Sequence, residues 1–143
     1  MTQPEESFIV SLRIRHPTFT SEPIVESIGM LPEFCHSVGT PRKTPTGQLL
    51  GGLYDQTYCT FPLTKKKLGR FDDGVRELMP RLAFHAEYFR QLRASGGSAE
   101  LYIGVFFEDW SGFELGCQDM KALADLGLDL GVELYGNSES GEM

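Results

Sequence analysis

The chain reads as an α+β fold: a single domain built on a mixed, largely antiparallel sheet, with helices packed mainly on one face. Three observations predict it. Apolar and polar residues alternate with period two near both ends of the sequence, at 8–16 and 128–134. A third run, Ala99–Phe107, is apolar on both parities, as in a central strand. Between these runs lie segments whose apolar residues recur at spacings of three and four, the mark of an amphipathic helix. Interleaved strands and helices of this kind give a sheet with helices on one main side. With 143 residues the chain fits one domain, and a domain of that size buries roughly 68–70% of its unfolded surface, enough for a core without staples.

Phe8, Val10, Leu12 and Ile14 share one parity, while Ser11, Arg13 and Arg15 share the other, so this half-buried strand runs until Pro17 stops it. Thr20 or Ser21 opens a short helix with Pro23 in its first turn, Ile24, Val25 and Ile28 inward, and Gly29 as its end. Met30 to Gly52 is crowded with proline and glycine and reads as a long surface loop, with a short strand near His36–Val38. A second strand follows at Tyr54–Leu63. Lys65–Arg70 reads as a solvated approach to the main helical segment, where Val75, Leu78, Met79, Leu82, Ala86 and Phe89 form one face. Pro80 lies inside that pattern and predicts a kink, or a new helix starting there. Gly96-Gly97 closes the segment.

In the strand Ala99–Phe107, Leu101, Ile103, Val105 and Phe107 point one way and Tyr102 and Phe106 the other. Either both faces are covered or one is held for a partner. After a turn at Asp109–Gly112 come a short strand at Phe113–Gly116 and a helix at Gln118–Leu126 with Met120, Leu123, Ala124 and Leu126 inward. Gly127 caps it, and Leu128, Leu130, Val132 and Leu134 alternate in the closing strand. The expected boundaries are a disordered N-terminus over 1–6, the α+β domain over 7–136, and an acidic flexible tail over 137–143.

The order of these elements resembles the bacterial family described as domain of unknown function 4279. The likeness rests on Ile28-Gly29-Met30-Leu31-Pro32 after the opening strand and helix, and on Gly39-Thr40-Pro41-Arg42. It rests further on the closing unit Met120-Lys121-Ala122-Leu123-Ala124-Asp125-Leu126-Gly127, which ends at Val132-Glu133-Leu134-Tyr135. The resemblance covers about Ser7 to Tyr135 and implies no established activity. It does imply that an immunity role beside a bacterial toxin is worth weighing.

Charge is distributed one-sidedly. Glu108 to Met143 holds nine acids and one base, Lys121, whereas the whole chain carries −7. A pI of about 4.9 argues against general nucleic-acid or anionic-membrane binding. The first residues lack the basic and apolar regions of a signal peptide, and no apolar run reaches the length of a membrane span. The odd, widely spaced set Cys35, Cys59 and Cys117 reads as reduced thiols. A cytoplasmic location is therefore expected.

Chemical motifs are sparse. Cys35-His36 with Cys59, Cys117, His16 or His85 lacks the paired spacing of a zinc site. Adjacent residues of an extended strand point apart, so Cys35 and His36 do not make a nucleophile–base pair, and His16 reads as a satisfied core histidine. Thr46–Gly52 lacks the Gly-Lys-Ser/Thr ending of a phosphate loop. Lys65-Lys66-Lys67 with Arg70 could meet a phosphate at the next helix, but a solvated run is the simpler reading. No catalytic, cofactor or metal residue is assigned.

The expected function is a non-catalytic, immunity-type binding domain that neutralises a toxin through an acidic surface. Asp109, Glu114, Asp125, Asp129 and Glu133 would pair with a basic protein partner, and Trp110 would anchor it. The alternative is a small-ligand protein or enzyme that uses Met30–Gly52 as a lid and Arg42 as an anion contact. For the face of Tyr102 and Phe106 two outcomes stand open: a homodimer covers it, or the Met30–Gly52 loop folds over it and leaves a monomer.

Overall fold

Eleven residues, Glu6–His16, form strand β1, whose inward parity buries Phe8, Val10, Leu12 and Ile14 and, at its end, His16. This computed structural model describes residues 6–109 and 112–136. Glu6 already lies in β1, so the domain begins one residue earlier than expected. The rest of the N-terminal segment and the tail at 137–143 lie outside the described residues.

The remaining elements, in order, are α1 (Ser21–Ile28), β2 (Phe34–His36), β3 (Pro41–Lys43), β4 (Leu49–Leu53), β5 (Thr57–Pro62), β6 (Lys67–Leu68), α2 (Phe71–Ala83), α3 (Ala86–Ala94), β7 (Ser98–Phe107), α4 (Cys117–Asp125) and β8 (Leu128–Tyr135). The main sheet has the order β2-β5-β1-β7-β8, with β6 also pairing to β1. All its pairs are antiparallel except β7–β8, which is parallel and therefore needs the α4 crossover.

The helices gather over one face. From α2, Phe71, Val75, Leu78 and Leu82 reach the core at helical spacing, joined by Ile24 and Ile28 of α1, Phe89 and Leu92 of α3 and Leu123 of α4. Gly74 lets α2 approach closely, since a Cβ there would lie 2.5 Å from the Phe8 ring. Gly29 (φ 77°) ends α1 in the left-handed region and returns its N–H to the Val25 carbonyl.

Several expectations need correcting. Met30–Gly52 is not one loop: it holds β2 and the β3–β4 hairpin, and the strand expected at His36–Val38 begins two residues earlier, at Phe34. The second strand is shorter, Thr57–Pro62, and the basic approach contains β6. Pro80 neither starts a helix nor marks the break; it sits in the last turn of α2, and the chain breaks at Phe84–His85 instead. No strand forms over the described residues 113–116. In α4, Met120 and Ala124 are exposed, because the inner face is set by Leu123, flanked by the half-buried Asp119, Ala122 and Leu126.

Candidate functional site

Among the described residues no helix packs on the far side of the sheet. By register, that face carries Phe34 and His36 from β2, Tyr58 and Thr60 from β5, Ser11, Arg13 and Arg15 from β1, Glu100, Tyr102, Gly104 and Phe106 from β7, and Gly131, Glu133 and Tyr135 from β8. Period-two alternation put these polar and aromatic groups together, because the opposite parity was spent on the core.

The rings do not lie bare. The Arg13 guanidinium sits 3.6 Å from the centre of the Tyr102 ring, Arg15 lies 4.9 Å over Tyr58, and the Lys66 ammonium 4.0 Å over Phe106. Glu100 stands between the two arginines, 3.7 Å from Arg13 and 4.0 Å from Arg15. Gly131 on the neighbouring strand, in register with Tyr102, leaves room for that carboxylate, since a Cβ there would meet Glu100 Oε2 at 2.5 Å. Tyr102 donates its hydroxyl to Glu133, as does Tyr135 at 2.6 Å. Those two donors hold the Glu133 carboxyl below its ordinary range, while burial, then Glu133, pushes the Tyr102 phenol up. Tyr102 is 9% exposed within a single chain. The uncovered apolar face that motivated a dimer is therefore largely shielded by the chain's own side chains.

Two depressions flank β2. On the sheet face, a groove of about 350 Å³ has Phe34, Tyr58 and Tyr102 as walls, Ile9, Ser11 and Thr60 beneath, and Glu33 and Arg13 as its charges. Beyond the edge of β2, a cleft of about 640 Å³ opens toward the β3–β4 hairpin, where Pro41, Lys43, Pro45, Leu49 and Tyr54 face Phe34, Cys35 and His36. Lys43 lines this cleft and Arg42 does not. His36 stacks on Tyr54 with ring centres 3.5 Å apart, and Phe34, 44% exposed, forms the ridge between groove and cleft.

The expected acidic residues do not form one surface. Asp129 and Asp125 lie near the start of β8, where Asp129 meets Arg93 at 2.9 Å and Asp125 meets Lys121 at 2.9 Å. Asp109 follows the far end of β7, which closes at Phe107, seven residues beyond the Glu100–Asp129 pair and so roughly 23 Å from it at about 3.3 Å per strand residue. Glu114 lies in the connection to α4. Of the set, Glu133 lies within the aromatic face; Trp110 falls outside the described residues.

The cysteines and histidines weighed and set aside as metal ligands also lie in different parts of the fold. Cys35 and Cys59 face one another across β2 and β5, whereas Cys117 opens α4, His85 lies between α2 and α3, and His16 ends β1. Among the described residues no three His, Cys, Asp or Glu side chains gather as a metal set. At the α2 N-terminus, Asp72 takes Arg70 at 3.2 Å, so this end already carries a carboxylate.

One contact looks catalytic. His16 Nε2 lies 2.9 Å from Ser95 Oγ. Its other nitrogen, Nδ1, accepts backbone N–H groups from Thr18 at 3.0 Å and Phe19 at 2.9 Å, which fixes the proton on Nε2. Nε2 therefore donates to Ser95 and cannot take its proton, while the Ser95 hydroxyl is directed to the carbonyl of Gln91 at 2.8 Å. Wholly buried and stacked on Phe19, His16 is held neutral by burial. It is a structural lock.

Sequence reasoning named Tyr102 and Phe106 but missed Phe34, Tyr58 and the two arginines as partners. The signal was the Ser11-x-Arg13-x-Arg15 parity, which is opposite to the core.

Fold and site together define an α+β domain with one helix-covered face and one aromatic, cation-capped face. The chain belongs to the family described as domain of unknown function 4279, whose model matches residues 5–137. No curated protein and no solved structure matches it.

Proposed function

We propose that the chain is a non-catalytic protein-binding domain that meets its partner with the helix-free face and the β2 edge. More narrowly, we propose an immunity-type inhibitor that binds and neutralises a bacterial toxin. The observation that carries the reading is the exposed Phe34 ridge between the aromatic groove and the hairpin cleft. Tyr, Phe and Arg are the residues that interface centres favour, and central aromatic anchors carry most of the binding energy. Five strands about 4.8 Å apart and roughly 20 Å long present on the order of 400–500 Å², over half of the ~800 Å² a standard interface buries per partner. The hairpin, with Leu49, Leu50 and Leu53 exposed, extends that surface. The net charge of −7 favours a basic partner, drawn in by long-range attraction.

The test is rescue in cells. A toxin-like product encoded beside this gene should be neutralised by the wild-type protein and not by Phe34→Ala or Tyr58→Ala variants of normal stability. Asp109→Asn with Glu114→Gln should lower only the association rate at low salt. Full rescue by the aromatic variants would overturn the face as the contact surface.

A second reading is favoured by the cleft itself. At about 640 Å³ it lies within the range of small-molecule sites, and the stacked His36–Tyr54 pair would form a flat wall for a planar ligand. A metabolite screen by thermal shift decides it: ligand at ~100 times its dissociation constant stabilises by about 2.7 kcal/mol. A flat screen removes this reading.

A further inference from the structure

We propose that Cys35 and Cys59 form a reversible intramolecular disulfide, so that an oxidant of the hydroperoxide class latches edge strand β2 onto the sheet. This inference stands apart from the binding reading.

It begins with register. Cys35 of β2 is directly opposite Cys59 of β5 in an antiparallel pair. Opposed residues in such a pair lie about 4.5 or 5.5 Å apart at Cα, and disulfides span about 4.4–6.8 Å, so either arrangement accepts the bond. Opposed residues also project from the same face, so the two thiols point the same way. Both are reduced, with Cys35 exposed and Cys59 wholly buried. The exposed thiol can meet an oxidant, while the buried one is screened from competing thiols. Burial first, and then the nearby Cys35, push the Cys59 thiol up to about 12. Cys117 is far in the fold, at the first turn of α4.

The chemistry balances in two steps. The Cys35 thiolate attacks a peroxide oxygen; the O–O bond breaks, the other oxygen leaves as alcohol or water after taking a proton, and Cys35 becomes a sulfenic acid. The Cys59 sulfur then attacks the Cys35 sulfur; the S–O bond breaks and hydroxide leaves with the Cys59 proton as water. Two thiols are oxidised to one disulfide while one hydroperoxide is reduced. Because a thiol attacks as its thiolate, the high pKa of Cys59 makes the second step slow, so the latch answers sustained oxidant.

Its consequence falls on the neighbouring side chains. Phe34 and His36 flank Cys35 and form the ridge and the stacked wall described above. In the reduced protein a three-residue edge strand holds them, and such edges fray readily. A covalent bond to the buried strand β5 removes that fraying.

The experiment uses the full chain with Cys117→Ser, so that links between molecules through that thiol cannot form. Graded hydrogen peroxide is followed by alkylation, intact mass and non-reducing peptide mapping. The expected result is a monomer lighter by two hydrogens, with a Cys35–Cys59 cross-linked peptide that dithiothreitol reverses. Amide exchange over Phe34–His36 slows in the oxidised form. Cys35→Ser, on an exposed edge, keeps the fold and loses the cross-link. Over-oxidation of Cys35 with Cys59 fully alkylatable after unfolding overturns the proposal, and so does a cross-link found only between chains.

Discussion

Replacing His16 by alanine removes an acceptor that serves two backbone donors at once. Thr18 N–H and Phe19 N–H both point at Nδ1, and nothing else in that turn takes them. Thr18 and Phe19 are themselves exposed, so water can reach the freed donors, and the cost is the net worth of the bonds, about 0.5–1.5 kcal/mol each. The pair predicts roughly 1–3 kcal/mol, before the lost stacking on Phe19. That is a sizeable part of the 5–15 kcal/mol typical of a folded domain. Acid probes the same lock more gently. Burial holds the folded-state pKa of His16 below the ordinary 6.5, so below that pH the unfolded chain binds more protons than the folded one. Stability then falls as pH drops from 6.5 toward the folded-state value, by up to ~1.4 kcal/mol per pH unit from this one group. His36 and His85 are also shifted down, each by burial first, so they add to the wild-type slope. His16→Asn isolates the term, since its side-chain oxygen can replace Nδ1 but does not titrate. Urea unfolding at pH 7, 6 and 5 should show a shallower acid slope in His16→Asn than in the wild type. Equal slopes would refute the argument.

Three further outcomes are expected. Gly74→Ala drives a methyl into the Phe8 ring and should lower stability by about 1–3 kcal/mol in denaturant melts; a neutral result would mean that α2 can move away from β1. Leu12→Ala, wholly within the core at the centre of the sheet, should cost about 2–5 kcal/mol by the same assay, and a loss below that range would mean the site collapses easily. Tyr102→Phe removes the first donor to Glu133, so the Glu133 pKa should rise in a carboxyl NMR titration. The stability tied to that depressed carboxyl is present above its unfolded-state pKa and lost as pH falls through the folded value, so the variant should lose less on acidification. An unmoved Glu133 titration would show that Tyr135 suffices.

The strands and helices that carry the core were legible because burial writes periodicity into sequence. Phe8 to Ile14, Leu101 to Val105 and Val75 to Leu82 each show the repeat of the element they form. What escaped was structure held by other means. β2, β3, β4 and β6 are two to five residues long, mostly exposed, and set by backbone pairing that leaves no apolar pattern. Glycines that looked like loop breakers instead serve the hairpin, where Gly51 and Gly52 take positive φ within β4. Met120 misled because spacing alone cannot say which apolar residue of a short helix faces inward; Leu123 does. The face itself was half visible. Tyr102 and Phe106 were read on the right parity, but their cationic caps come from β1 and from Lys66, far away in sequence. The acidic residues were conspicuous by number, yet they fall on different elements: Asp125 on α4, Asp129 and Glu133 on β8, and Asp109 after the end of β7.

The place of β1 at the middle of the sheet has a consequence for synthesis. β1 is made before every strand it pairs with, and its last neighbour joins Phe106 to Ser7, about a hundred residues later. At ~5–20 residues per second, the ribosome takes roughly 5–20 s to supply that partner. Throughout that interval Phe8, Val10, Leu12 and Ile14 have at most one flanking strand, and the ladder that would hide them is open on a side. A translational pause placed before Ser98 would therefore lengthen the time for which β1 lacks its longest partner.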